Sequence, residues 1–158
     1  MDSTQNVKKY FAQTIALAGN IAKMTEKIEM LRAMEIAGGS ISGSTGAGTK
    51  SRNIRRGEDL AVEILTLQEG IAKTKATLLT HEREVKKLAD TLKSPIGRAI
   101  ITWRYICRLA WKDIADRAEM SEMQAMREHN AAIKEIAAAP SNARNLKCKF
   151  LVHSLSSI

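Results

Sequence analysis

From Val7 to Leu31 apolar side chains recur at alternating steps of three and four residues, through Tyr10, Leu17, Ile21, Met24 and Ile28, with Thr14 in the same register. A second run repeats the pattern through Leu60, Ile64, Leu67, Ile71, Leu78, Val85, Leu88 and Leu92. Thr74 and His81 fall on that stripe, and Glu63, Lys73, Glu82 and Lys86 occupy the other faces. Such spacing keeps one narrow apolar stripe on one side of a helix. Between the runs lies GGSISGSTGAGTKSRNIRRG, residues 38–57, whose Gly, Ser and Thr content predicts a flexible linker that lets the chain reverse direction. Residues 1–93 are therefore expected to form a long antiparallel helical hairpin, coiled-coil-like, whose open flanks pair with a second chain, because so narrow a stripe rarely stabilises a lone hairpin. Leu17, Ile21, Ile28, Leu67, Ile71, Leu78 and Val85 are the expected oligomerisation residues, with a dimer as the expected homo-oligomer. Thr14, Thr74 and His81 are candidates for setting the register, His81 as a seam residue rather than a ligand.

The pattern changes after residue 93. Ser94-Pro95 is a good N-cap followed by proline at the first helical position, and Ile96, Ala99, Ile100, Trp103 and Ile106 give the next helix a wide apolar face ending near Arg108. WKDIADRA then predicts a short helix, AEM a tight break, and Ser121 with Gln124 a capping box that opens a helix to about Ala138. This is the spacing of a helix-turn-helix over residues 94–138. Small Ala115 lets two helices approach, Ile114, Ala118 and Met120 pin the turn, and Ala125 meets the first helix from the second. Ser121, Glu122, Met123, Gln124, Arg127 and Asn130 are left near the start of the last helix, where a helix-turn-helix enters the major groove of double-stranded DNA. Arg pairs with guanine and Asn or Gln with adenine, each pairing contributing about 1–3 kcal/mol of discrimination. Lys112, Arg104 and Arg108 are placed to touch phosphates. The fold class expected is all-α.

The stretch RYICRLAWKDIADRAEMSEMQAMREHNAAIKEI resembles the region-4 module of bacterial sigma factors, with its RY-containing helix, IA pair and Ser cap. With heptad-rich helices in front, the chain resembles the ArpU and RinA type of phage late-gene transcription regulators. The resemblance implies that Ser121 to Asn130 lie on DNA, that the protein activates a phage or prophage operon, that host RNA polymerase is a candidate partner, and that the chain works near the nucleoid of a bacterial host cell. It implies no enzymatic activity. At the turn, Glu119 stands where such modules usually carry Gly. A side chain in a left-handed conformation costs about 1 kcal/mol or more, so a turn of different shape is expected. Glu122 is also unusual, since a carboxylate at the groove repels phosphate unless it accepts from cytosine.

Composition adds limits. Aromatic residues make up 4 % of the chain and Pro occurs twice, which favours helix throughout. Cys107 and Cys148 form no CxxC and have no His at metal spacing, so neither disulfides nor a metal site is expected, and a reducing cytoplasm fits. No stretch approaches about 18 consecutive apolar residues, so no membrane partner is expected. The net charge of +8 points to a polyanion, but residues 38–57 carry four basic and no acidic side chains and residues 138–158 three and none. The excess belongs to the linker and to a basic tail, residues 139–158, so the case for DNA rests on helix spacing. Without a phosphate loop after a strand, an HExxH or a GxSxG, no enzyme and no cofactor are expected. Two alternatives share parts of the pattern: a phage small terminase subunit, which usually places its DNA-binding module first, and a helical adaptor that binds a host protein.

Overall fold

The computed structural model describes residues 3–39 and 47–139, and the side chains of residues 3–37 and 54–139. The chain is all-α, with five helices and no strand among the described residues: α1 Ser3–Gly39, α2 Ala47–Asp90, α3 Pro95–Tyr105, α4 Trp111–Arg117 and α5 Glu122–Ala138. None of them is long and apolar enough to cross a membrane. Both prolines mark helix boundaries. Pro95 opens α3, where Ser94 Oγ accepts from the Gly97 N–H at 3.2 Å. Ala139, which precedes Pro140, is extended at φ −73° and ψ 120°, because the proline ring disfavours a helical conformation in the residue before it.

The expected linker over residues 38–57 is partly helical. Helix α1 continues to Gly39 and α2 begins at Ala47. The basic stretch 50–56 is Lys, Arg and Ile with one Ser and one Asn, whose helix propensities lie within about 0.7 kcal/mol of Ala, and an upstream turn is readily added to a helix already nucleated. Residues 40–46 and the tail from residue 140 lie outside the described residues.

Packing divides the chain into two compact units, and the division falls within α1 and α2. The first unit takes residues 3–16 and 78–139. Its core joins Val7, Tyr10 and Phe11 of α1 to Val85 and Ala89 of α2, Ile101 and Tyr105 of α3, and Ala132, Ile133 and Ile136 of α5. Phe11 is fully buried, and its ring meets that of Tyr105 edge-on at 5.2 Å. The Tyr10 hydroxyl donates to Glu84 of α2, while its ring lies 5.0 Å from that of buried His81. The carboxylate beside it and burial push the Tyr10 pKa up, with burial the larger cause, so Tyr10 stays a neutral donor.

In the second unit, residues 17–77, Ile28 and Leu31 of α1 pack on Ile64 of α2, with Leu60, Leu67 and Ile71 alongside. Lys27 pairs with Glu63 at 2.7 Å and Met24 Sδ lies over Gly70. The pair is about half exposed, so it contributes at most about 1 kcal/mol. The stripe is thus largely consumed inside one chain. Of the expected oligomerisation residues, Ile28, Leu78 and Val85 are buried, and Leu17, Ile21, Leu67 and Ile71 are half-buried. The large apolar side chains left exposed in this unit are Met30, Met34, Ile36, Ile54, Val62 and Leu65, which lie off the stripe.

The two threonines on the stripe bond within their own helices. Thr14 Oγ1 donates to the Phe11 carbonyl at 2.8 Å and Thr74 Oγ1 to the Gly70 carbonyl at 2.7 Å. Each hydroxyl is returned to its own helix, which allows it a buried position without a partner across the seam. The first core gives a stability prediction. Phe11→Ala should cost about 3–5 kcal/mol, since it empties a fully buried aromatic site in a core shared by four helices. Urea unfolding followed by circular dichroism measures it.

Candidate nucleic-acid interface

The candidate surface begins with what holds α4 and α5 in place. After α3 the chain turns through Arg108 at φ 57°, and the Leu109 N–H donates to the Trp103 carbonyl at 2.9 Å. Arg104 closes this loop from within: its Nη1 donates to the Leu109 carbonyl at 2.9 Å and its guanidinium lies 5.0 Å from the Trp111 ring centroid. That geometry combines a charge-assisted hydrogen bond with a cation–π contact. Arg104, expected on phosphate, therefore spends its guanidinium on the loop between α3 and α4. Arg108, also expected on phosphate, is ion-paired through Nη1 to Glu82 Oε1 at 2.6 Å. Lys112 alone of the three is exposed without an ion pair among the described residues.

The turn between α4 and α5 keeps the left-handed residue despite the missing glycine. Glu119 has φ 52°, its N–H reaches the Asp116 carbonyl, and the Met120 N–H reaches the Ala115 carbonyl at 3.1 Å. Those two bonds are the Schellman arrangement that satisfies the last carbonyls of a helix, and Met120 adds its apolar contact against the cluster of Ile100, Ile114, Ala115 and Ala125. The expected change of turn shape does not occur, because two backbone hydrogen bonds and the Met120 contact outweigh a conformational cost of about 1 kcal/mol. Ser121 then caps α5, its Oγ accepting from the Gln124 N–H at 3.2 Å.

Helix α5 buries one edge: Ala125, His129, Ala132, Ile133, Ile136 and Ala137. Ala125 is fully buried in the cluster with Ala115, and at Gly97 of α3 an added Cβ would meet the Ala132 Cβ at 3.4 Å. Small residues thus bring α5 close to both α3 and α4. His129 is the polar member of this edge. Its Nε2 is 2.8 Å from the Tyr105 hydroxyl, and its ring faces Trp111 edge-on at 5.2 Å. Burial is the main reason its pKa falls to about 4, with the charges of Lys8 and Arg104 adding to the fall and a hydrogen bond involving Asn130 opposing it. His129 is neutral at physiological pH and fixes the rotation of α5 about its axis. Sequence reasoning missed it, although its place four residues after Ala125 and three before Ala132 puts it on the buried edge.

With that edge fixed, Ser121, Glu122, Met123, Gln124, Arg127 and Asn130 are all exposed. Met123, Arg127 and Asn130 follow one another at steps of four and three, on the side of α5 opposite Ala125 and His129. Arg127 Nη2 lies 3.5 Å from Met123 Sδ, a weak contact along the same face. Glu122 lies in the first turn of α5, where its carboxylate complements the unpaired N–H groups and the positive end of the helix dipole. That location accounts for the residue without a base contact. Among the described residues no group of three or more His, Cys, Asp or Glu is placed to hold a metal ion.

A family model described as a protein of unknown function, DUF1492, matches residues 36–137, which is more than half of the sequence. The chain belongs to the DUF1492 family. No curated protein and no solved structure matches it. The DUF1492 match takes in α2 to α5, with the capped turn and the whole exposed face of α5, and leaves out most of α1.

The buried histidine sets a pH dependence. Its folded pKa lies below the ordinary value of 6.5, so its contribution to stability is present above pH 6.5 and is lost as pH falls toward 4. The loss should amount to at most about 3 kcal/mol. Unfolding free energies measured from pH 7 to pH 4 should fall for the wild type, and His129→Gln should flatten that part of the profile.

Proposed function

We propose that this protein is a sequence-specific DNA-binding transcriptional regulator in which α4 and α5 act as a helix-turn-helix. Helix α5 presents Gln124, Arg127 and Asn130 to base edges in the major groove, with Ser121 at its N-terminal end and Met123 offering an apolar contact. Lys112 is the phosphate contact. The long helices serve as an antiparallel hairpin that carries this module within a homo-oligomer, a dimer being the simplest form. The resemblance to ArpU and RinA type regulators makes a late operon of a phage or prophage the target we favour, with activation as its effect. Host RNA polymerase would be the second partner.

The observation that carries this reading is the division of α5 into two sides. Ala125 and His129 are buried against α3 and α4, while the polar side chains at the start of the helix remain exposed beside a capped turn. An exposed polar side is common to surface helices; what favours recognition here is that Gln124, Arg127 and Asn130, side chains able to read base edges, lie in the first turns of the helix that follows the capped turn. Arg127 and Asn130 are chemically suited to read guanine and adenine. Among the three expected phosphate contacts Lys112 is the most available, since Arg104 holds the loop after α3, whereas Arg108 would exchange a surface ion pair worth at most about 1 kcal/mol for a phosphate.

Selection of duplexes from a random pool by the full-length protein tests the reading, and it predicts enrichment of a defined motif. Arg127→Ala should lower affinity for that motif by about 10- to 100-fold while leaving helical content unchanged. Lys112→Ala should weaken all duplexes alike and reduce the slope of log affinity against log salt by about one. A pool that yields no motif would sink the proposal.

A further inference from the structure

Within the first unit, α2 and α3 leave a shallow groove of about 440 Å³ between them. Its floor is apolar, formed by Leu79 and Ile106 with Thr102. Thr102 Oγ1 is already bound to the Arg98 carbonyl at 2.9 Å, so its hydroxyl makes no demand on an occupant. Arg83, Lys86 and Lys87 form one rim. Lys86 is paired with Asp90, but Arg83 and Lys87 have no acidic side chain within ion-pair distance among the described residues. The acidic lining residue, Glu82, is neutralised by Arg108 at 2.6 Å. The groove therefore combines exposed apolar surface, with Leu79 48 % exposed, and unspent positive charge.

Charge selects among occupants. Residues 140–158 include Arg144, Lys147 and Lys149 and no Asp or Glu, so the chain's own tail would meet the rim with like charge. A DNA backbone would satisfy Arg83 and Lys87 but would leave Leu79 and Ile106 against a strongly hydrated surface that offers them nothing apolar to pack on. An amphipathic helix satisfies both: apolar anchors at i, i+3 or i+4 and i+7 fill a groove of this kind, and flanking carboxylates meet the two cations.

We propose that the groove between α2 and α3 is a docking site for an acidic amphipathic helix of a partner protein. The site lies on other residues than the exposed face of α5 and stands whether or not α5 reads DNA. The test is fluorescence anisotropy of the full-length protein with a labelled peptide of about 18 residues carrying Leu at i, i+3, i+4 and i+7 and Glu at most other positions. A matched peptide with Lys in place of Glu and an unlabelled DNA duplex of unrelated sequence serve as comparisons. The acidic peptide should bind at least about tenfold more tightly than the basic one. Leu79→Asp should weaken it by about tenfold or more, and the double variant Arg83→Glu with Lys87→Glu should reverse the preference, with circular dichroism unchanged in both. Equal binding of the two peptides, binding of neither, or affinities untouched by the variants would overturn the proposal. Displacement of the peptide by the duplex, with duplex binding lost in the double variant, would assign the groove to nucleic acid and overturn it as well.

Discussion

The close seating of α5 on α3 and α4 is the constraint on which the candidate surface depends. It is made possible by small residues, Ala115 against Ala125 and Gly97 against Ala132, which let backbones approach where larger side chains would hold them apart. Close approach alone would leave the helix free to slide or rotate. The bond between Tyr105 and His129, with the edge of Trp111 against the same imidazole, removes that freedom, because a directional contact has one good geometry. Arg104 then ties Trp111 back to the loop after α3, so a chain of contacts runs from the loop through α4 to α5. Once the buried edge is fixed, helix geometry alone decides that Met123, Arg127 and Asn130 face outward.

The long helices use the same economy in another way. Their apolar stripe is narrow, yet Val7, Tyr10 and Phe11 at the start of α1 reach a core that α3 and α5 also share. That core is wide because the two short helices α3 and α5 add to what α1 and α2 bring. Among the described residues of the second unit, Ile28, Leu31 and Ile64 form the buried cluster, and Leu60, Leu67 and Ile71 stay partly exposed. Two helices alone can cover little more than the line along which they touch. The apolar side chains off that line, Met30, Met34, Val62 and Leu65, are where a further surface would have to be accommodated.

Much of this is legible in the sequence. Ser94-Pro95, the Ser121 cap and the Ala115 and Ala125 pair all act where their spacing implies, because caps and small-residue contacts are local and are written in a few adjacent positions. The departures share a physical origin. Arg104 and Arg108 look like phosphate contacts as isolated charges, but their partners, Leu109, Trp111 and Glu82, are supplied by the fold. Glu119 looks wrong for a left-handed residue until the two backbone bonds of the turn are weighed against its strain. The helical start at Ala47 is hidden when residues 38–57 are taken as one block rich in Gly and Ser, although the basic half of that block has ordinary helix propensity.

The central claim is that the start of α5 faces DNA and its later turns do not. The most direct measurement places a benzophenone photocrosslinker at Met123 in one variant and at Lys134 in another, both exposed positions on the outer side of α5, and irradiates each with a duplex selected by the wild type. Crosslinks to bases from position 123, and weak or absent base crosslinks from position 134, are the predicted result. Equal crosslinking from the two positions, or none from 123 while the protein remains bound to the duplex, would contradict it.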